Sequence, residues 1–172
     1  MGFEEQVELK DKIENFAGEV CKVLFPIAVD VFQGSGSKVS VCTLSSIDLL
    51  IKISKMDLMN NLLIAGRLHS ENKGIDKMID YCIAHPQLQY VILCGKDTVG
   101  HYPGNTLINL IKYGIDPDGR IKGSISPSPF ICSNNADVEK FKEQITVIDM
   151  RNCFDTDKIS KTVYRLLGKQ FY

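Results

Sequence analysis

Short, nearly unbroken apolar runs, VSVCTL (39–44), NLLIAG (61–66), QYVILCG (89–95) and ITVIDM (145–150), are separated in this chain by longer stretches whose apolar residues recur at helical spacing. Apolar runs of strand length without polar alternation belong to strands covered on both faces, the arrangement that a parallel sheet with crossover helices produces. This rhythm predicts an α/β fold: an open, mainly parallel sheet with flanking helices. Helices are expected near 46–56, 72–84, 103–114 and 136–144. A last one is expected at 155–169, with Ile159, Val163, Leu166 and Leu167 on one face. RIKGSI (120–125) is a further candidate strand.

Ahead of the first run, residues 8–25 place Ile13, Phe16, Ala17, Val20 and Val23 or Leu24 on one helical face, and QGSGSK (33–38) reads as a flexible connector. The expected organisation is a helix and linker over 1–38 and the α/β domain with its C-terminal helix over 39–172, together one globular unit. The glycine-rich connector is not expected to hold phosphate, because such a loop follows a strand and opens a helix, whereas this one precedes a strand. At 172 residues and 44% hydrophobic the chain suits a single domain with a substantial core. A net charge of −1, with both signs interspersed, supplies no basic stripe for nucleic acid.

Six cysteines are widely spaced without a C-x-x-C, and Cys42, Cys82 and Cys94 lie in or beside apolar runs, so reduced thiols of a cytoplasmic protein are expected. The start, MGFEEQVELK, is acidic where a secretory signal would be basic, and no run approaches the ~18 apolar residues of a membrane helix.

In open parallel sheets, ligands bind beyond the carboxyl ends of the strands, so the loops there are the place to look for chemistry. They are Thr43-Leu44-Ser45-Ser46, Ala65-Gly66 with Ser70-Glu71-Asn72 behind it, the long loop 95–104, and the segment 124–130. The loop 95–104 carries three glycines, a proline and His101, a backbone able to come close to a flat ligand. A neutral imidazole there can ligate a transition metal, with Asp97 or Thr98 as candidate partners for its second nitrogen; alternatively His101 caps the next helix or bonds a loop carbonyl. Ser70, Glu71 and Asn72 read as an N-terminal cap, and Thr43, Ser45 and Ser46 either cap the following helix or donate to a ligand. His85, before Pro86 at a helix end, reads as a helix-dipole partner, and His69 as a solvated loop residue.

It is at VILCGKDTVGHYPGNT that a family resemblance becomes specific. That segment resembles the corresponding stretch of the A subunit of tetrahydromethanopterin S-methyltransferase, and the likeness continues through VCTLSS, IAGRLHSENKGIDKMI, AHPQLQYVILCG, LINLIKYGIDPDGRIKGS and FKEQITVIDM, covering about residues 39–150 in order. The resemblance implies a Rossmann-like domain that carries a cobamide (cobalamin-type cobalt corrinoid) over its strand ends, with His101 as lower axial ligand to cobalt. It further implies ring contacts from Gly95, Gly100, Tyr102, Pro103 and Gly104, from Thr43, Leu44, Ser45 and Gly66, and from Ser126 and Pro127. The segment Ser126-Pro127-Ser128-Pro129-Phe130 departs from the family's Gly/Ala/Pro pattern. Of the cobalamin motif D-x-H-x-x-G, His101 and Gly104 are present but Val99 stands in place of the Asp, so a deep slot for the nucleotide tail is not implied.

The implied function is that of a methyl carrier in methanogenic, archaeal one-carbon metabolism, taking a methyl group from methyl-tetrahydromethanopterin and passing it to a thiol such as coenzyme M. Separate methyl-donor and methyl-acceptor subunits are implied, with association with a membrane complex. The family's C-terminal membrane helix has no counterpart here, which leaves open either a chain that stops short of it or a soluble relative on another methyl-transfer route. The alternatives are a corrinoid storage or delivery protein and a non-catalytic, nucleotide-binding or regulatory Rossmann-like module. VCTLSSID stands where the last would need G-x-G-x-x-G.

Overall fold

The computed structural model describes residues 31–170, so the amphipathic helix expected at 8–25 lies outside the described residues. In chain order the elements are β1 (Val31–Gln33), β2 (Val39–Cys42), α1 (Ile47–Ser54), a 3-10 turn (Asp57–Asn61), β3 (Ile64–Gly66), α2 (Lys73–Ala84), β4 (Tyr90–Gly95), α3 (Pro103–Tyr113), α4 (Asn135–Gln144), β5 (Thr146–Arg151) and α5 (Thr156–Leu166). The sheet runs β1-β3-β2-β4-β5, with β2, β3, β4 and β5 parallel and β1 antiparallel on the edge beside β3.

The central strands β2 and β4 are almost wholly buried, as their unbroken apolar runs require. Period-two alternation sorts β4 between two cores. Val91 and Leu93 pack with Ile75 and Ile79 of α2, Leu107 of α3 and Phe141 of α4. Ile92 and Cys94 pack on the other face with Leu50 and Ile53 of α1 and Ile159 of α5. The result is a three-layer α/β sandwich, as the sequence rhythm predicts. Two polar links set α4 against α2. The Gln144 amide donates to the Cys82, His85 and Leu88 carbonyls at the end of α2, and the Asp76 carboxylate accepts from the Cys132 and Ser133 amides ahead of α4.

Two expectations are corrected. Residues 33–38 are not a loose connector: Val31–Gln33 joins the sheet, and the Gly34 and Gly36 amides donate at 2.9 Å to the Leu63 and Leu62 carbonyls. The glycines are there because the turn lies flush on the next strand, and a Cβ at Gly34 would overlap the Leu62 carbonyl oxygen. Composition alone cannot separate such a docked turn from a linker. The candidate strand 120–125 makes no sheet. It forms isolated bridges, Ile121 with Ile115 and Arg120 with Phe130, because Gly119 (φ 83°) and Gly123 (φ 73°) turn the chain on both sides of the one buried apolar residue, Ile121.

Cys42, Cys82 and Cys94 are buried and unpaired, and burial pushes the Cys42 and Cys82 thiols up to about 12. Among the described cysteines, alkylation of native protein near neutral pH is expected at exposed Cys132 and half-buried Cys153, with the other three reacting after denaturation; mass mapping checks this order. Gly34→Ala should lower stability by about 1–3 kcal/mol in a urea titration through the forced backbone shift. An unchanged midpoint would contradict the docked turn.

Candidate functional site at the strand ends

From β2 the chain passes to β3 on one side and then to β4 on the other, so the loops after β2 and β4 diverge at a topological switch point. Hydrogen bonds stitch these loops together at their base. The Ser45 amide and hydroxyl both donate to the Lys96 carbonyl, at 3.1 and 2.7 Å, and the Lys96 amide donates to the Ser46 hydroxyl at 2.9 Å. Gly95, with φ 70°, lets the chains approach; a Cβ there would sit 2.6 Å from the Thr43 carbonyl oxygen. Thr43 and Leu44 are wholly buried, and the Thr43 amide and hydroxyl turn to the Gly66 carbonyl at the end of β3. The polar atoms of 43–46 thus hold the floor of the crevice together.

Above that floor rises the loop 96–102. Asp97 shapes it: one carboxylate accepts from the Thr98 amide (3.1 Å) and from the Gly104 and Asn105 amides at the start of α3 (2.9 and 2.8 Å). It therefore caps α3 from seven residues upstream and closes the loop on itself. Gly104 admits the carboxylate, since a Cβ would lie 3.0 Å from Asp97 Oδ2. Tyr102, at φ 48°, precedes Pro103, the first residue of α3. At the apex Gly100 has φ 92° and open space where a side chain would be.

His101 stands beside that apex with its side chain 61% exposed, and its Nδ1 lies 3.1 Å from Oε2 of Glu71, whose side chain is 3% exposed. The expectation that Asp97 or Thr98 would partner the imidazole is overturned. Asp97 is engaged by the α3 amides, and the Thr98 hydroxyl is buried without a partner while its carbonyl accepts from the His101 and Tyr102 amides. The expected cap is also redistributed. The Ser70 hydroxyl accepts from the Gly74 amide and the Asn72 side chain from the Lys73 amide, which leaves Glu71 to face His101. Thirty residues separate Glu71 from His101, and the order β3-β2-β4 brings their loops together.

From the far side, buried Ser126 donates its hydroxyl to the His101 carbonyl oxygen, and the Ile125 amide bonds the Asn105 side chain. Pro127 is exposed, and so are two large apolar side chains near the imidazole in sequence and in these bonds, Val99 at 70% and Ile125 at 64%. Beside Asp97, at the end of β5, a polar cleft of about 390 Å³ is lined by Asp97, Asp149, Arg151 and Asn152. There the Arg151 guanidinium grips Asp149 in two hydrogen bonds of 2.7 and 2.8 Å and holds its carboxyl below the usual carboxylate range. The other histidines stand apart. His85 caps α2 at its C-terminus and stacks on Tyr81, and His69 is exposed next to Arg67.

Among the described residues no group of three or more His, Cys, Asp or Glu side chains is arranged to hold a metal ion. The family model for the A subunit of tetrahydromethanopterin S-methyltransferase matches residues 28–171. The chain belongs to that family.

Within the family, the chain is 38% identical over 108 residues to the tetrahydromethanopterin S-methyltransferase A subunit of Methanocaldococcus jannaschii, a match that covers 62% of this chain and 45% of that protein. Against the second of the two corresponding A subunits of Methanothermobacter thermautotrophicus the identity is 35%, over 58% of this chain and 56% of the relative. A longer match, 32% over 85% of this chain and 72% of the relative, is to a Methanosarcina acetivorans protein named as the A subunit of a "Putative methyltransferase Mtx". The chain thus spans about half the length of the S-methyltransferase subunits it matches. No helix among the described residues is long and apolar enough to cross a membrane.

Asp97→Ala should strip the acceptors from two α3 amides and lower stability by about 1–2 kcal/mol, the scale of a lost N-terminal cap. Hydrogen exchange at Gly104 and Asn105 should speed up while β4 stays protected. Uniform exchange across both would contradict the capping role.

Proposed function

We propose that this chain is the corrinoid-carrying component of a methyltransferase, with Nε2 of His101 as lower axial ligand to the cobalt of a cobamide seated over the strand ends. One observation carries this reading: a mostly exposed imidazole on a turn that leaves open space at Gly100, its Nδ1 already engaged, beside the switch point of a parallel sheet. Membership of the family supports it. Exposed Val99 and Ile125 offer apolar surface to the rim of a macrocycle, and Ser126 steadies the backbone of the ligating residue.

When bound, a corrinoid would supply the group-transfer chemistry between a methyl donor and a thiol. The protein's residues govern access and axial ligation. The loop around His101 is tied to α3 through Asp97 and to the segment 124–126 through Ser126, so the imidazole is presented by a braced turn with a free apex. Gly95 and Gly104 give that turn its close backbone approaches. The relatives are named as subunits of a tetrahydromethanopterin S-methyltransferase; on the carrier reading the donor would be methyl-tetrahydromethanopterin and the acceptor a thiol such as coenzyme M, served by partner methyltransferase subunits. The nucleotide-binding alternative is disfavoured because the first parallel strand leads into a loop whose polar atoms are engaged with Lys96 and Gly66 rather than into a phosphate cradle.

Hydroxocobalamin mixed with the purified chain should give a coloured complex that survives gel filtration. His101→Ala should change its visible spectrum and weaken retention. A spectrum identical to the parent protein's would remove His101 as ligand, and a failure of the parent protein to retain colour would remove the carrier reading. A complex that cannot be methylated even with the donor enzyme present would point to storage.

A further inference from the structure

We infer that Glu71 is the positioning residue for His101: its buried carboxylate accepts from Nδ1–H, holds the imidazole in the tautomer whose lone pair is on Nε2, and sets how strongly that nitrogen can ligate. As an axial-ligation role this rests on the carrier reading, although the tautomer assignment does not. The geometry is specific. Oε2 of Glu71 lies 3.1 Å from Nδ1 of His101, and the two side chains differ sharply in exposure, 3% against 61%. A carboxylate so deeply buried loses its water and demands a donor. The ring, by contrast, keeps one edge bound and the other toward solvent.

The helix start does not account for Glu71. Ser70 and Asn72 on either side of it already accept from the Gly74 and Lys73 amides. A neutral imidazole carries one N–H, so placing it toward Glu71 leaves Nε2 as the basic nitrogen. A carboxylate acceptor also makes the opposite nitrogen a stronger donor to a metal than a carbonyl or water would, and loss of such a partner typically weakens metal affinity by roughly 10–100-fold. Glu71 follows β3 whereas His101 follows β4, so this bond also ties two strand-end loops. Rotation of the imidazole off its ligand would have to stretch or break that tie.

Two measurements test this independently. Long-range proton–nitrogen correlation on the cofactor-free protein in mildly alkaline buffer should find the His101 proton on Nδ1. In Glu71→Ala it should move mainly to Nε2, and Glu71→Gln, whose amide oxygen can still accept, should retain the Nδ1–H form. With hydroxocobalamin, Glu71→Ala should lower affinity by about 10–100-fold and reduce the histidine-ligated fraction in the visible spectrum, with Glu71→Gln intermediate. An Nε2–H tautomer in the parent protein, or parent-like tautomer and spectrum in Glu71→Ala, would overturn the assignment. If Glu71→Ala does not fold, Glu71→Gln and the parent tautomer still decide it. Failure of the parent chain to take up corrinoid would sink the carrier reading while the tautomer result stands separately.

Discussion

Burial of β4 on both faces is the constraint from which the rest of the molecule follows. A strand with Val91 and Leu93 in one core and Ile92 and Cys94 in the other has to be central, with a helical layer on each side. Being central and parallel, it delivers its carboxyl end to the point where the chain has just reversed its direction of build across the sheet. Gly95 is the hinge of that delivery. It leaves the strand with a positive φ and passes so close to the loop after β2 that no side chain would fit.

Backbone strain is concentrated at the same edge. The non-glycine residues with positive φ among the described residues are Leu44, Tyr102 and Asn152, one after each of β2, β4 and β5. Each costs about 1–3 kcal/mol and persists because its surroundings over-determine it. Leu44 is fully buried, Tyr102 sits between the Thr98 turn and Pro103, and the Asn152 amide donates to the Gly95 carbonyl. Such residues turn the chain sharply away from the sheet and leave the loops short at their base. The loop 96–102 is held in shape by Asp97, whose carboxylate takes the open amides of α3. The fold opposes disorder at the edge where a ligand would sit.

Much of this was legible in the chain, for reasons that also explain the rest. The apolar runs of β2, β4 and β5 and the 3.6-residue spacing of the helices report local burial, and they survive into the structure with most boundaries shifted by one or two residues. The expected run 61–66 keeps only its second half as β3, because Asn61 closes the 3-10 turn and the Leu62 and Leu63 carbonyls are taken by the glycine-rich turn at Gly34 and Gly36. Those contacts are not encoded in composition. At the candidate site, His101 and its glycines stand out because they are contiguous. Glu71 did not, because its significance arises only when the order β3-β2-β4 brings two loops together and its neighbours take over the capping it was expected to do. The signal that remained was a carboxylate lodged between two better capping residues at a strand end. Asp97 lies near His101 in sequence yet does not partner it, because the unsatisfied amides at the start of α3 claim its carboxylate.

On the carrier reading, the distribution of sulfur acquires a meaning as well. A thiol attacks only as thiolate, so a buried thiol held protonated beneath the site is a poor competitor for a methyl group carried there. Cys42, in the strand that ends under the candidate site, and Cys94, in the strand that leads to His101, are buried, and burial raises both thiols, Cys42 to about 12. The Cys94 thiol, moreover, points its hydrogen at the Cys42 carbonyl oxygen. These sulfurs fill space beneath the site without chemistry of their own, as small apolar side chains would. On that reading the imidazole above is a ligand, and the buried thiols of Cys42 and Cys94 below do not compete for the methyl group it helps to hold.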